Sequence, residues 1–343
     1  MLKKILYTLL FLTLVAAIIG FIKYRQYLGP YVEINGHEYQ YIYIPKGTDI
    51  DGLFDLLNKE GILSDTASFT WLAGKKNLAR HIHPGKYKIR NGSSLNGLIN
   101  QLRAGKQVEV ELTFNNVRTK QELAGLISRQ VQCDSTELLA TLFNDSLTQS
   151  YGFDTLSITA MFIPNTYKVY WAMTAEGIFA RMHKEYKRFW SRDRKKKARN
   201  ADLTEIEVAI LASIVQEETV KQDEKPRVAG LYINRLNRGI ALQADPTLKY
   251  ALRNFAKKRI INADKKVKSK YNTYKYTGLP PGPISIPSIG SLDAVLNYES
   301  HGYIYMCAKE DFSGYHNFAS TLLEHNLNAR RYQKQLNKKR IYK

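Results

Sequence analysis

Glu218 is the side chain that the sequence places best for moving a proton. It stands in Gln216-Glu217-Glu218-Thr219, directly after Ile206-Glu207-Val208-Ala209-Ile210-Leu211-Ala212-Ser213-Ile214-Val215, a run that is apolar on nearly every side. At about 100° per residue, Glu218 falls on the helical stripe of Leu211, Ile214 and Val215. Burial disfavours the charged form of a carboxyl, so a group there holds its proton toward neutral pH, as a general acid must. Glu217 falls on the Ile206–Ile210 side, about 100° away. The competing reading of Glu218 is structural: a helix-end carboxylate in an ion pair with Arg227 or Arg235.

Further candidates sit at junctions downstream, where sites collect. Leu242-Gln243-Ala244-Asp245-Pro246-Thr247 reads as a strand end entering a helix, with Asp245 as N-cap and Pro246 at the first helical position. Tyr271-Asn272-Thr273-Tyr274 leads into Gly278-Leu279-Pro280-Pro281-Gly282-Pro283-Ile284, too proline-rich for a helix and rigid enough to shape a groove. His316, in Gly314-Tyr315-His316-Asn317-Phe318, closes a strand at Tyr303-Ile304-Tyr305-Met306, and His325 and Asn326 lie on the helix that follows. Neither this histidine pair nor His81-x-His83 has zinc-ligand spacing, so no metal is expected. Gly-x-Ser-x-Gly, P-loop and dinucleotide fingerprints are also lacking, and no cofactor is expected.

The elements that must position these residues are legible in outline. Thr204 and Glu207 form a capping box ahead of the 205–219 helix, whose all-round apolar interior marks it as a core helix. Far upstream, Gly47-Thr48-Asp49-Ile50-Asp51-Gly52-Leu53-Phe54 repeats weakly as Gly92-Ser93-Ser94-Leu95-Asn96-Gly97-Leu98-Ile99. Each copy follows an alternating strand, at Tyr41–Ile44 and Lys86–Ile89. Each then starts a helix capped by Thr48 or Ser93 and ended by Gly61 or Gly105. A third unit begins at Thr119-x-x-Glu122. Such strand–helix modules suit polymer binding on the exposed sheet edge, or packing that holds the next domain off a membrane. Residues 125–200 read as mostly helical around the aromatic island Met161–Tyr167. The chain beyond 200 alternates helices, short strands and Pro/Gly-rich loops. The fold class is α+β.

At 343 residues, 44% apolar and 24% charged, the chain can bury a sizeable core and is neither disordered nor fibrous. Two cysteines, Cys133 and Cys307, exclude a disulfide scaffold. The net charge of +20 is concentrated. Residues 181–199 carry ten basic and two acidic side chains, read as an amphipathic helix anchored by Phe189 and Trp190. The tail 330–343 adds seven basic residues, and Lys3, Lys4, Lys23 and Arg25 flank the N-terminal segment. With no helix-turn-helix, RNP-like or C2H2 signal, a nucleic-acid partner is not expected; an anionic membrane or polyanionic polymer fits concentrated charge at least as well.

Ile5 to Ile22 is an uncharged apolar run of 18 residues, about the minimum for a membrane span, and it continues into Lys23 with no small-x-small cleavage site. An uncleaved single-pass anchor follows, with a short cytoplasmic N-terminal stub and everything after about residue 25 outside the cytoplasm.

Ala212-Ser213-Ile214-Val215-Gln216-Glu217-Glu218-Thr219, Val228-Ala229-Gly230-Leu231-Tyr232-Ile233-Asn234-Arg235-Leu236, Leu242–Thr247, Tyr271–Tyr274, Gly278–Ile284 and His316-Asn317-Phe318 occur in this order. In these six motifs the chain closely resembles the YceG-like family of endolytic murein transglycosylases. The resemblance implies a stub and anchor at 1–25, a linker at 26–40, a LysM-like module at 41–110 and a catalytic domain at 111–343. It implies cleavage of the MurNAc–GlcNAc β-1,4 bond within nascent glycan strands, giving 1,6-anhydroMurNAc ends without water and terminating elongation. Glu218 would be the single acid and base. Gln243, Asp245, Thr247, Asn272, Thr273, Tyr274, Leu279, Pro280, His316 and Phe318 would bind the glycan. The implied partners are peptidoglycan strands and the wall-synthesis machinery at the inner membrane, with the catalytic domain periplasmic. The family's Glu-x-Glu reads Gln216-Glu217-Glu218 here, its Pro-Asp-Thr-Tyr reads Pro164-Asn165-Thr166-Tyr167, and its Asn-Pro-Gly reads Ile286-Pro287-Ser288. The missing first Glu motivates the rival reading, an inactive membrane-anchored scaffold that binds peptidoglycan.

Overall fold

The computed structural model describes residues 1–34, 36–63, 65–257 and 259–339; the last four residues of the basic tail, 340–343, lie outside it. The first helix, α1 (Leu2–Tyr27), leaves Leu9, Phe11, Leu14, Ile18 and Phe21 each more than half exposed. A helix of this length that is apolar on every side is compatible with a single-pass membrane anchor.

The chain divides into two compact units: Met1–Leu112 with Arg129–Cys133 and Tyr167–Thr174, and Thr113–Ser128 with Asp134–Thr166 and Ala175–Lys343. In the first unit β1 (Tyr39–Ile44), α2 (Ile50–Lys59), α3 (Thr66–Lys75), β2 (Gly85–Arg90) and α4 (Leu95–Arg103) follow one another. β1 and β2 pair antiparallel, Tyr39 opposite Arg90 and Ile44 opposite Gly85. Strand alternation sends Ile42, Ile44, Tyr87 and Ile89 inward against Leu53, Leu57, Leu98, Ile99 and Leu102. The strands fall where the alternation predicts, but both helix caps lie one residue later. Thr48 Oγ donates back to the carbonyl of Pro45 at 2.8 Å, so Asp49 takes the amide of Gly52 at 2.8 Å. Likewise Ser94, not Ser93, accepts from Gly97 at 3.1 Å. Gly61 and Gly105 end the helices with φ of 68° and 61°, as expected for C-terminal caps.

The strand β3 (Glu109–Phe114) precedes α5 (Lys120–Ser128), α6 (Ser135–Leu142) and α7 (Asp145–Ser150), and it pairs with β4 (Asn165–Tyr170). Thr119 Oγ accepts from Glu122 N at 3.1 Å, as the capping-box spacing predicts, although the Glu122 carboxylate takes the amide of Arg118. The basic stretch is two helices rather than one, α8 (Ala175–Phe189) and α9 (Arg192–Asn200), because Ser191 intervenes and caps the second. Phe189 and Trp190 are buried at this break, anchored in the protein core.

The remaining elements frame the site: α10 (Glu205–Glu218), α11 (Lys225–Asn237), α12 (Asp245–Ala251), α13 (Ile289–Leu296), the hairpin β5 (Tyr305–Ala308) with β6 (His316–Ala319), and α14 (Leu322–Lys338). The fold is thus mixed α+β. The Thr204–Glu207 capping box forms, and every residue from Val208 to Val215 is buried. Around this core helix pack α11, α12 and α13. The proline-rich segment runs alongside, with Ile284 N donating to Ser213 Oγ at 3.0 Å. Gly282 is required there: a Cβ would stand 2.1 Å from the carbonyl oxygen of Leu156.

Candidate active site

Glu218 closes α10, where the helix reaches a cavity of about 280 Å³. Gln243, Asp245, Tyr274 and His316 line the same cavity, together with Tyr232, Arg235 and His325. Five residues expected from sequence therefore meet, although they come from separate elements between 218 and 316.

Glu218 forms neither ion pair envisaged for it. Arg227 pairs with Glu299 at 3.0 Å, and Arg235 is committed to main-chain carbonyls. Instead Tyr232 Oη donates to Glu218 Oε1 at 2.6 Å. Burial pushes the Glu218 carboxyl up to about 7, reinforced by the charge of Asp245 and opposed by the Tyr232 hydrogen bond and by His316. With Oε1 accepting from Tyr232, the acidic proton resides on Oε2. Replacing Tyr232 by Phe removes a donor that favours the ionised form. The carboxyl then titrates above 7, and the alkaline limb of the pH–rate profile moves to higher pH. A limb at the wild-type position in Tyr232→Phe would contradict this coupling.

Asp245 occupies the first turn of α12 rather than its cap, which falls on Ala244. Its carboxylate is therefore not spent on helix amides and accepts from Tyr274 Oη at 2.5 Å. His316 opens β6 instead of closing the preceding strand. Its ring is held by Glu224, whose Oε2 lies 2.9 Å from Nδ1 while Oε1 accepts the His316 main-chain amide at 2.7 Å. Burial would raise the Glu224 carboxyl, but these His316 hydrogen bonds outweigh it and hold it below the usual range.

The buried Arg235 rivets the cavity wall. It donates to the carbonyls of Ala241 and Ile304 and, at 3.0 Å, to Gln243 Oε1. Gln243 is thereby held with φ of 55°, a left-handed conformation unusual for a residue with a side chain. Thr247, Asn272 and Thr273 are buried beneath this wall. Thr247 and Thr273 hydroxyls lie 2.8 Å apart, Thr273 accepts from Ala244 N, and Asn272 ties the Lys265 and Val267 carbonyls to the amide of Tyr274. They support the loops that carry Gln243, Asp245 and Tyr274. Leu279 and Pro280 sit half-buried and buried in the proline-rich loop. Phe318 packs against Tyr303, with ring centroids 5.7 Å apart.

Gln216, where the resemblance leads one to expect a Glu, has a structural occupation. Its Oε1 accepts from Ser288 N at 2.7 Å and from Ser291 Oγ at 3.2 Å, and the same Ser291 hydroxyl accepts from the buried Lys225 at 3.0 Å. Gln216→Ala strands these donors, and denaturant melts should show a loss of about 1–3 kcal/mol. Gln216→Glu keeps the acceptor for Ser288 and Ser291 but loses the amide that donates to Ile286 O at 3.4 Å, so it should retain activity and lose less stability than alanine does.

Sequence reasoning missed Tyr232 and Glu224, and weighed His325 only as a metal ligand. Tyr232 lies inside a quoted motif, but a tyrosine on a buried helix face reads as core. Glu224 was detectable only as an acidic residue just before Lys225-Pro226, and its partner is 92 positions away.

A profile of the YceG-like family matches residues 42–331, which is most of the chain. The chain belongs to the YceG-like family. A relative in Bacillus subtilis named endolytic murein transglycosylase is 26% identical over 314 residues, covering 87% of this chain and 86% of that protein. A relative of the same name in Streptococcus pneumoniae is 25% identical and covers 88% of this chain; the chain spans 60% of that relative's length. A crystal structure of a YceG-like protein from Listeria monocytogenes superposes with a TM-score of 0.56 at 24% identity, over 84% of this chain and 98% of the other, and so shares the fold. Within this YceG-like fold, the cavity at the end of α10 gathers carboxyl, phenol and imidazole groups that suit proton transfer to a bound substrate.

Proposed function

We propose that this chain is an endolytic murein transglycosylase that cleaves the MurNAc–GlcNAc β-1,4 bond within glycan strands, with Glu218 as its acid and base. The observation that carries this reading is a carboxyl raised to about 7 inside a cavity, in a chain whose relatives bear that name. Protonated Glu218 gives its Oε2 proton to the glycosidic oxygen as the bond to the anomeric carbon breaks. The carboxylate then takes the proton of the C6 hydroxyl, whose oxygen attacks the same carbon and closes the 1,6-anhydro ring. Atoms balance without water, so one carboxyl serves both steps, unlike the paired carboxyls of hydrolases. Tyr232 orients Glu218 through Oε1. The Asp245 carboxylate, itself oriented by Tyr274, supplies negative charge to the cavity as positive charge develops at the sugar.

In this reading α1 is a single inner-membrane span with the N-terminus cytoplasmic and the remainder periplasmic. The enzyme then works beside the membrane-bound synthesis machinery and limits strand length. The scaffold alternative rests on Gln216, but the side chain there accepts from Ser288 and Ser291, a role that needs no carboxylate. Full-length protein in detergent, incubated with long uncross-linked strands, should produce mid-length fragments. Strands that remain bound and uncut would favour the scaffold.

A further inference from the structure

The second unit holds a narrow recess of about 70 Å³ that the proton chemistry does not use. Arg118, Lys120 and Arg253 line it beside Phe143, Tyr250 and Tyr271, and among the described residues no carboxylate does. Arg118 is committed to Glu217 at 3.1 Å, but neither Lys120 nor Arg253 forms an ion pair among the described residues. Lys120 donates instead to the main-chain carbonyls of Leu142, at 2.9 Å, and Thr155, and its Nζ lies 4.0 Å from the Phe143 ring centroid. Burial pushes this ammonium down to about 8, against the pull of Asp154 and Asp145. A cation so poorly hydrated gains from an anion brought beside it. Arg253 directly follows the C-cap of α12, where Arg253 N bonds to Tyr250 O and Asn254 N to Lys249 O. Its φ is 52°, the left-handed position at which helices usually end in glycine. An arginine is kept there at a backbone cost, with its guanidinium 4.5 Å from the Tyr250 ring centroid.

Two elements tie the recess to the catalytic cavity. The first turn of α12 brings Asp245 to the cavity, and the end of that helix brings Tyr250 and Arg253 to the recess, roughly 10 Å further along. At the end of α10, Glu217 reaches Arg118 while its neighbour Glu218 lines the cavity. We propose that the recess is a subsite for a stem-peptide carboxylate carried by the strand close to the bond that is cut. It rests on the murein reading above and specifies which strands are selected, those that bear free peptide carboxylates. A carboxylate fits the fork of Arg253 and the ammonium of Lys120, and the aliphatic part of the peptide packs on the Tyr250 and Tyr271 rings, whose centroids lie 4.7 Å apart. Sugar hydroxyls alone would leave both cations without a counter-charge.

The test compares full-length protein in detergent with Arg253→Gly and Arg253→Lys. Each is given soluble peptide-bearing strands and the same strands after their peptide carboxylates have been converted to amides. The parent should cut the anionic strands with a KM at least about tenfold lower, a preference that shrinks at high salt. Arg253→Gly should melt at or above the parental temperature, because glycine suits this φ, and yet lose the preference. Arg253→Lys keeps the charge and should keep most of it. A role confined to the fold would move the melting temperature and leave the preference alone. Equal KM values for the two strand preparations in the parent would overturn the subsite, as would an unchanged preference in Arg253→Gly. Fluorescence anisotropy in a Glu218→Gln background separates this from the reaction. Tighter binding of the anionic strands that Arg253→Gly abolishes, beside a parent that cuts neither preparation, would keep the subsite and remove the proposed cleavage.

Discussion

Glu218→Gln is expected to lower strand cleavage by at least about 10³-fold while raising thermal stability, because the same burial that makes the carboxyl an acid makes it a liability. Acid and base steps run through one group, so no second carboxyl takes over the lost proton transfer. The stability effect has a definite sign. The folded protein holds the Glu218 proton up to about 7, against 4.5 for an ordinary glutamate, so the folded state binds more protons across that window. Stability therefore falls as pH rises from about 4.5 to 7, and the full cost is present above it. The Glu218→Gln variant escapes that cost, and its amide oxygen still accepts from Tyr232. Its advantage should be small near pH 4.5 and reach on the order of 3 kcal/mol at pH 8. In wild type, kcat/KM should decline about tenfold per pH unit above 7 as the acid deprotonates. Thermal melts at the two pH values and a pH–rate profile check both halves. A variant that is equally active, or less stable at pH 8, would detach the raised carboxyl from catalysis.

The second large effect is expected from Gly230, which has no side chain to transfer a proton. A Cβ on this residue of α11 would stand 2.2 Å from the carbonyl oxygen of Glu299 and 2.9 Å from His301 Nε2. Alanine in a helix interior ordinarily gains about 1 kcal/mol over glycine. Here the neighbour cannot retreat. Asn234 donates to the carbonyls of His301 and Tyr303, Glu299 N donates to Pro226 O, and His301 Nε2 bonds to Arg227 O. The segment is stitched to α11 on both sides of Gly230, so the helix itself must move. Gly230→Ala should cost about 3 kcal/mol. Since Tyr232 and Arg235 ride on the same helix, activity at permissive temperature should fall as well. Chemical denaturation measures the first and strand cleavage the second; a stable, fully active alanine variant would mean that this approach is not tight.

What could be read in the sequence was what local spacing decides. The α10 capping box, the burial of its interior and the position of Glu218 on its apolar stripe all follow from residues within one helix. The alternation at Tyr41–Ile44 and Lys86–Ile89 placed both strands for the same reason, each one or two residues short of its observed ends. Caps slipped by one residue: Asp49 and Ser94 take the helix amides in place of the neighbouring Thr48 and Ser93, and at the third helix Ala244 stands at the cap with no side-chain bond. The slip at Ala244 matters most, since it leaves Asp245 available to Tyr274. Contacts remote in sequence were not legible. Glu224 with His316 and Gln216 with Ser288 are each joined across more than 70 residues, and no periodicity reports such a pairing. Thr247, Asn272 and Thr273 share motifs with cavity residues, yet their side chains are turned inward to hold the loops.

In the proposed reaction one carboxyl ends a glycan strand without water. Its most direct test is mass spectrometry of products formed in ¹⁸O-enriched water by wild type and by Glu218→Gln. Wild type should give 1,6-anhydro ends free of ¹⁸O, and the variant no new ends. Reducing ends carrying ¹⁸O would mean hydrolysis with a second carboxylate, and anhydro ends from both proteins would place the acid elsewhere.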